Sequence, residues 1–270
     1  MLMTSFLRER KSVREFKAVD VKNQLLDDIE DYLRLLETED GSGDFRFVFY
    51  KDGKRLFDGL NGIGGYSGVM IQSPHYVALE IMNSQDKSII NGAYFMEKLI
   101  TKLNSMGLDT CWVSIGDVNH GEKVKLFDNL LGNINYLLAF GHRKPRNPFE
   151  EVPFSNRIGL DEFVYMDESG KKATLEDLEN RGLDDLFYYL RYAPSSFNRQ
   201  PWRFLLKKEK VALIMECIGD KDSNLIDAGV IMYYFEELGK AIGINSKWEL
   251  ANSRQNIEDR EYRIIGEIVL

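Results

Sequence analysis

Hydrophobic positions along this chain fall into two successive series of similar elements. VKNQLLDDIEDYLRLL (21–36) repeats apolar side chains at helical spacing, and FRFVFY (45–50) then reads as a strand. HYVALEI (75–81) predicts a second strand. NGAYFMEKLITKLNSMGLDTCWV (91–113) predicts an apolar helix that ends near Gly107 and leads into a strand carrying Trp112. NYLLAFG (135–141) closes the first series as a strand. The second opens with LEDLENRGLDDLFYYLRYA (175–193), a predicted helix, followed by the strand WRFLL (202–206). VALIMECI (211–218) comes next, with a pattern open to strand or helix. DAGVIMYYFEELGKAIGINSKWE (227–249) repeats the apolar helix, the glycine and the tryptophan strand, and YRIIGEIVL (262–270) closes as a strand.

One constant offset places Gly107 on Gly243 and Trp112 on Trp248, and also Leu99 on Phe235, Leu103 on Gly239 and Leu108 on Ile244. Any two mixed helix–strand segments share some pattern, but the common order of helix, strand, helix, glycine and tryptophan strand favours duplication. Few strand–helix–strand spacings suit a parallel sheet, so the fold class expected is α+β. Each half would carry a mainly antiparallel sheet flanked by helices, with the halves related by an internal pseudo-twofold. The expected halves are residues 1–158 and 159–270.

Composition narrows the classes of function. Of 270 residues, 44% are hydrophobic and 29% charged, which suits a soluble globular chain with a substantial core. No apolar run approaches the ~20 residues that span a bilayer. MLMTSFLRERKSVREF at the start has no apolar signal core, so no export and a cytoplasmic location are expected. The two cysteines have no metal or redox spacing, which fits a reducing compartment. A net charge of −8 argues against a nucleic-acid surface and makes local basic clusters stand out. One is Arg8, Arg10, Lys11 and Arg14; the other is His142, Arg143, Lys144 and Arg146. Either alone reads as a solvated face, whereas together at one site they would suit a phosphate.

The most specific string is APSSFNRQPWRF, from Ala193 to Phe204. Ala193-Pro194 stops the preceding helix, and Pro201 opens a strand where its missing N–H does least harm. Between them Ser195, Ser196, Asn198 and Gln200 supply short polar groups, more than a plain capping turn requires. Elsewhere the signals are weaker. GLNGIGGYSG (59–68) lacks the spacing and the preceding strand of a dinucleotide site, and reads as a flexible loop or a cover for a cleft. His75, His120 and His142 show no ligand spacing, so no metal is expected. No GxSxG elbow surrounds Ser195 or Ser196, so neither is expected to act as a nucleophile.

The serine loop resembles the APSSxNxQPWxF loop of the nitroreductase family, whose members place it against the flavin of the partner subunit. RKSVREF (10–16) resembles the family's RRSVRxF segment, GLDTCWVS (107–114) its GLGTCWIG strand, and FGHRKPRNPFEEV (140–152) its basic tail. The resemblance implies bound FMN. Arg10, Lys11, Ser12 and Arg14 would hold its phosphate and ribityl chain, with Lys144 and Arg146 reaching the phosphate. Trp112, Val113 and Ser114 would approach it, as would Pro194, Ser195, Ser196, Asn198 and Gln200. Guanidinium groups suit this task, because they bind phosphate in bidentate fashion.

The first half carries RKSVREF without the Pro-Ser-Ser loop, and the second carries the loop without RSVR. This arrangement resembles a fused, monomeric pseudo-dimer that completes one site between its halves. The implied activity is ping-pong hydride transfer from NADH or NADPH, through FMN, to a small electron-poor acceptor such as a nitroaromatic or quinone, with no protein acid or base required. Two other readings stay open. One is a flavin-binding sensor or store with little turnover, and the other is a degenerate relative that binds no flavin.

Overall fold

A computed structural model describes residues 2–145, 155–166, 170–217, 221–257 and 260–270. In chain order the elements begin with helices α1 (Met3–Glu9) and α2 (Asn23–Asp40), strand β1 (Phe45–Tyr50), helix α3 (Gly53–Leu60) and strand β2 (His75–Ile81). Helix α4 (Asp86–Ser105), strand β3 (Asp109–Ser114), helix α5 (His120–Leu126) and strand β4 (Asn133–Gly141) follow. Next come helix α6 (Leu160–Phe163), strand β5 (Val164–Tyr165), and helices α7 (Leu175–Glu179) and α8 (Asp184–Leu190). A 3-10 turn (Ser196–Asn198), strands β6 (Trp202–Leu206) and β7 (Lys210–Glu216), helix α9 (Lys221–Gly239), a second 3-10 turn (Lys240–Ile242), and strands β8 (Glu249–Ile257) and β9 (Arg260–Val269) follow.

Two compact units contain these elements. One comprises Lys11–Glu151; the other joins Met1–Arg10 to Val152–Leu270. Helix α1 therefore packs within the unit of the second half, through Phe6 and Leu7, both nearly inaccessible to solvent. The chain passes from one unit to the other between Arg10 and Lys11, inside the RKSVREF segment.

In the Lys11–Glu151 unit an antiparallel sheet runs in the order β1-β2-β4-β3. The buried stripe of α4, including Ala93, Met96, Leu99 and Leu103, follows the 3.6-residue period. Strand β2 is buried on both faces, and its pairing with β4 shifts register between Leu79 and Glu80. The other unit repeats the plan with the order β5-β6-β7-β9-β8, where among the described residues only the short β5 pairs in parallel. Without β5 the order β6-β7-β9-β8 matches β1-β2-β4-β3 strand for strand. The β7–β9 pairing also shifts register, between Leu213 and Ile214. Gly107 and Gly243 adopt left-handed backbone at φ +78 and +89, Gly107 just past the end of α4 and Gly243 capping the 3-10 turn (Lys240–Ile242) that follows α9.

Three local expectations change. Residues 211–216 of VALIMECI form a strand, lying in β7. The helix expected over 175–193 is two short helices, because Gly182 turns left-handed at φ +64 and breaks the run. Trp248 stands one residue before β8, and its indole donates to Met232 O at 3.2 Å.

Candidate functional site

In the Lys11–Glu151 unit, backbone pairing brings three of the expected segments together. The Val13 N–H donates to Thr110 O (3.0 Å) on β3, Lys17 N–H to His142 O (2.8 Å), and Lys144 N–H to Glu15 O (3.0 Å). Phe16 and Arg143 form an isolated antiparallel bridge, and Phe16 is buried beneath it. The segment after Lys11 thus runs as a partial extra strand beside the chain leaving β4, which sets Arg14 close along the backbone to Lys144. Lys11, Arg14 and Lys144 are exposed, Ser12 is half-buried, and among the described residues no ion pair engages these three cations. Arg143 differs: its Nε lies 3.1 Å from the Asp109 carboxylate. A solvated cation without a counter-ion is free to bind an anionic ligand. Arg146 lies outside the described residues.

Strand β3 carries the other expected residues of this unit. Trp112 pairs with Leu138 and donates its indole N–H to Glu97 at 2.7 Å, so its polar edge is committed to a buried carboxylate. Val113 is buried in the core cluster with Tyr76, Leu137 and Ile115. Ser114 is exposed at the strand end, where its carbonyl accepts from Gly65 N–H at 2.9 Å. The glycine-rich stretch is therefore a set of tight turns docked on β3. Gly65 has φ +75, and a Cβ there would lie 2.1 Å from Val69 O.

The serine loop lies in the other unit and holds unusual backbone. Phe197, Asn198 and Gln200 have φ of 52, 56 and 49, three left-handed residues of four with no glycine among them. Such conformations are disfavoured for side-chain-bearing residues and persist only where surroundings enforce them. Here the enforcement is visible. Ser196 N–H donates to the buried Asp227 carboxylate (2.9 Å), and Gln200 N–H to Ser195 Oγ (2.9 Å). The Gln200 amide donates to Asn156 O and Asn198 O and accepts from Ile158 N–H, at 3.2, 3.1 and 3.1 Å. Asn198 donates to Asn156 O at 2.9 Å. Two polar side chains expected to face a ligand therefore tether the segment Asn156–Ile158. Pro194, Ser195 and Ser196 are half-buried, and Phe197 is exposed with the Arg199 guanidinium 5.2 Å from its ring centroid.

Arg10 caps α1 in this unit, its N–H bonded to Phe6 O. Arg157 was not singled out by sequence. Its Nη1 donates to Ala193 O (3.0 Å) and to Asn198 Oδ1 (2.9 Å). Burial lowers its pKa, and the neighbouring charge of Arg10 lowers it further. Asp227 was also missed, because a lone aspartate on an apolar helix carries no motif. Only its place under Ser196 marks it. Among the described residues no group of His, Cys, Asp and Glu could hold a metal ion, and no helix is long and apolar enough to cross a membrane.

Comparison with known proteins adds the family. A family model described as "Putative TM nitroreductase" matches residues 3–238. The chain belongs to this family. A solved structure described as a putative nitroreductase, from Thermotoga maritima MSB8, is similar in fold. It has a TM-score of 0.59 and 16% identity, over 98% of this chain and 94% of that one. A nitroreductase with bound FMN from Bacteroides fragilis NCTC 9343 has a TM-score of 0.45 and 13% identity, over 58% of this chain and 97% of that one. No curated protein matches the sequence. Membership of the nitroreductase family and the α+β fold with a repeated sheet agree with the resemblance drawn from the four motifs.

Proposed function

We propose that this chain is an FMN-dependent NAD(P)H oxidoreductase of nitroreductase type, passing two electrons to a small electron-poor acceptor such as a nitroaromatic or quinone. What supports the reading is the backbone pairing that gathers Arg14 and Lys144, cations without an ion pair among the described residues, beside β3 in a chain of net charge −8. That donor set fits a phosphate, which needs charge-assisted donors rather than a protein acid or base. FMN, when bound, supplies the hydride chemistry.

The chain's own residues have simpler tasks in this reading. Arg10, Lys11, Ser12, Arg14, Lys144 and Arg146 hold the phosphate and ribityl chain. Ser114 and the turns around Gly65 present backbone to the ring. The half-buried Trp112 ties β3 to α4 through the buried Glu97 carboxylate. The loop from Pro194 to Gln200 is held in its strained shape by its own hydrogen bonds, which limits the ordering left for the moment of binding. Lacking a titrating group at the hydride step, the protein controls orientation and access.

A single chain would act alone as a pseudo-dimer, with NADH or NADPH as reductant. Anaerobic titration of the FMN-loaded chain is the test. NADH or NADPH should bleach the flavin bands, and menadione or a nitrofuran should restore them. Failure of both nicotinamides to bleach the flavin would overturn the reading and favour a flavin-binding protein with little turnover.

A further inference from the structure

A guanidinium taken out of water keeps its charge, so it needs acceptors for its N–H groups or an anion beside it. Arg157 meets only part of that need. Nη1 is doubly engaged, by Ala193 O and Asn198 Oδ1. Nε is buried and has no partner, and among the described residues none is hydrogen-bonded to Nη2. Nε and Nη2 form the fork edge that grips two oxygens of a phosphate or carboxylate at once. Burial lowers the Arg157 pKa first, and the like charge of Arg10 lowers it further, with Tyr192 acting the other way. Two guanidinium groups whose charges act on each other, one half-buried with an unpartnered Nε, are a poor arrangement unless an anion joins them.

We propose that Arg157 is an anion-binding residue whose Nε–Nη2 edge takes a phosphate monoester in company with Arg10. The assignment rests on the FMN reading above for its expected ligand. The same chemistry also occurs in the 2′-phosphate of NADPH. Because Nη1 is fixed to Ala193 and Asn198, the fork is oriented by the same loop that it helps to hold. Lysine cannot reproduce this, since it has charge without a fork.

Binding of ligand pairs that differ only in the phosphate provides the test. FMN and riboflavin are titrated by flavin fluorescence, and NADPH and NADH by nicotinamide fluorescence, on wild type, Arg157→Ala and Arg157→Lys. Arg157→Ala should weaken FMN about 10- to 100-fold and riboflavin by less than about 3-fold, with Arg157→Lys between. A selective loss of NADPH instead would support the anion site and assign it to the nicotinamide. Equal losses for both members of each pair, or no loss in either, would overturn the proposal and leave Arg157 as a support for the loop. If Arg157→Ala does not fold, Arg157→Lys alone decides by the same phosphate-selective criterion. Wild type that binds no flavin would defeat the FMN reading, while the NADPH–NADH comparison would still judge Arg157.

Discussion

The loop from Ser195 to Gln200 keeps its shape against its own backbone preferences, and Gln200 is where that balance can be measured. Its side chain makes three hydrogen bonds that span Asn156, Ile158 and Asn198, and the residue is 6% exposed. Each such bond contributes about 0.5–1.5 kcal/mol net, so Gln200→Ala should cost roughly 1.5–4.5 kcal/mol. Left-handed backbone at φ 49 costs a side-chain-bearing residue about 1–2 kcal/mol. Gln200→Gly removes the same bonds and that strain together, while adding about 0.4–1 kcal/mol of unfolded-state entropy. Glycine should therefore be less damaging than alanine by about 0.5–1 kcal/mol, an inversion of the usual order. Urea unfolding followed by tryptophan fluorescence measures both variants. A loss below about 0.5 kcal/mol for Gln200→Ala, or alanine more stable than glycine, would refute the view of this loop as strain held by a hydrogen-bonded tether.

Other expectations follow from single contacts. Arg14→Ala should weaken FMN about 10- to 100-fold by fluorescence titration, whereas Arg143→Ala, already paired with Asp109, should change it by less than about 3-fold. Gly65→Ala should cost at least about 2 kcal/mol, since its Cβ meets the Val69 carbonyl, while Gly62→Ala at φ +91 has open space and should cost about 1 kcal/mol. His75 is held neutral, with Nδ1 2.7 Å from Lys51 O and Nε2 accepting from Val21 N–H at 3.1 Å, and burial lowers its pKa. Its folded pKa lies below the unfolded value of about 6.5, so its contribution is full above that pH and is lost as pH falls toward the folded pKa. Urea titrations across that window should show this slope in wild type and a flatter one in His75→Gln.

Much of the fold was legible because two periodicities carry it. The stripe of α4 and the continuous apolar run of β2 each match one backbone geometry, and Gly107 and Gly243 announce the helix ends. The broken helix at Gly182 was harder, since its flanks, LEDLE and LDDLFYYL, are each good helix formers and only the glycine's φ separates them. β7 was ambiguous because a strand buried on both faces lacks alternation. At the candidate site, sequence offered residue types but not their geometry. It marked Arg14 and Lys144, which backbone pairing does bring together, but could not show Asn198 and Gln200 turned inward on Asn156. Nor could it reveal Arg157, whose interest comes from an unpartnered buried nitrogen rather than from any motif.

Flavin stoichiometry, measured with molar mass, tests the central claim most directly. Purified chain reconstituted with FMN, freed of excess and examined by absorbance and light scattering, should carry one FMN per chain at the mass of a single chain. No retained flavin, two flavins per chain, or flavin bound only by an obligate dimer would contradict the account.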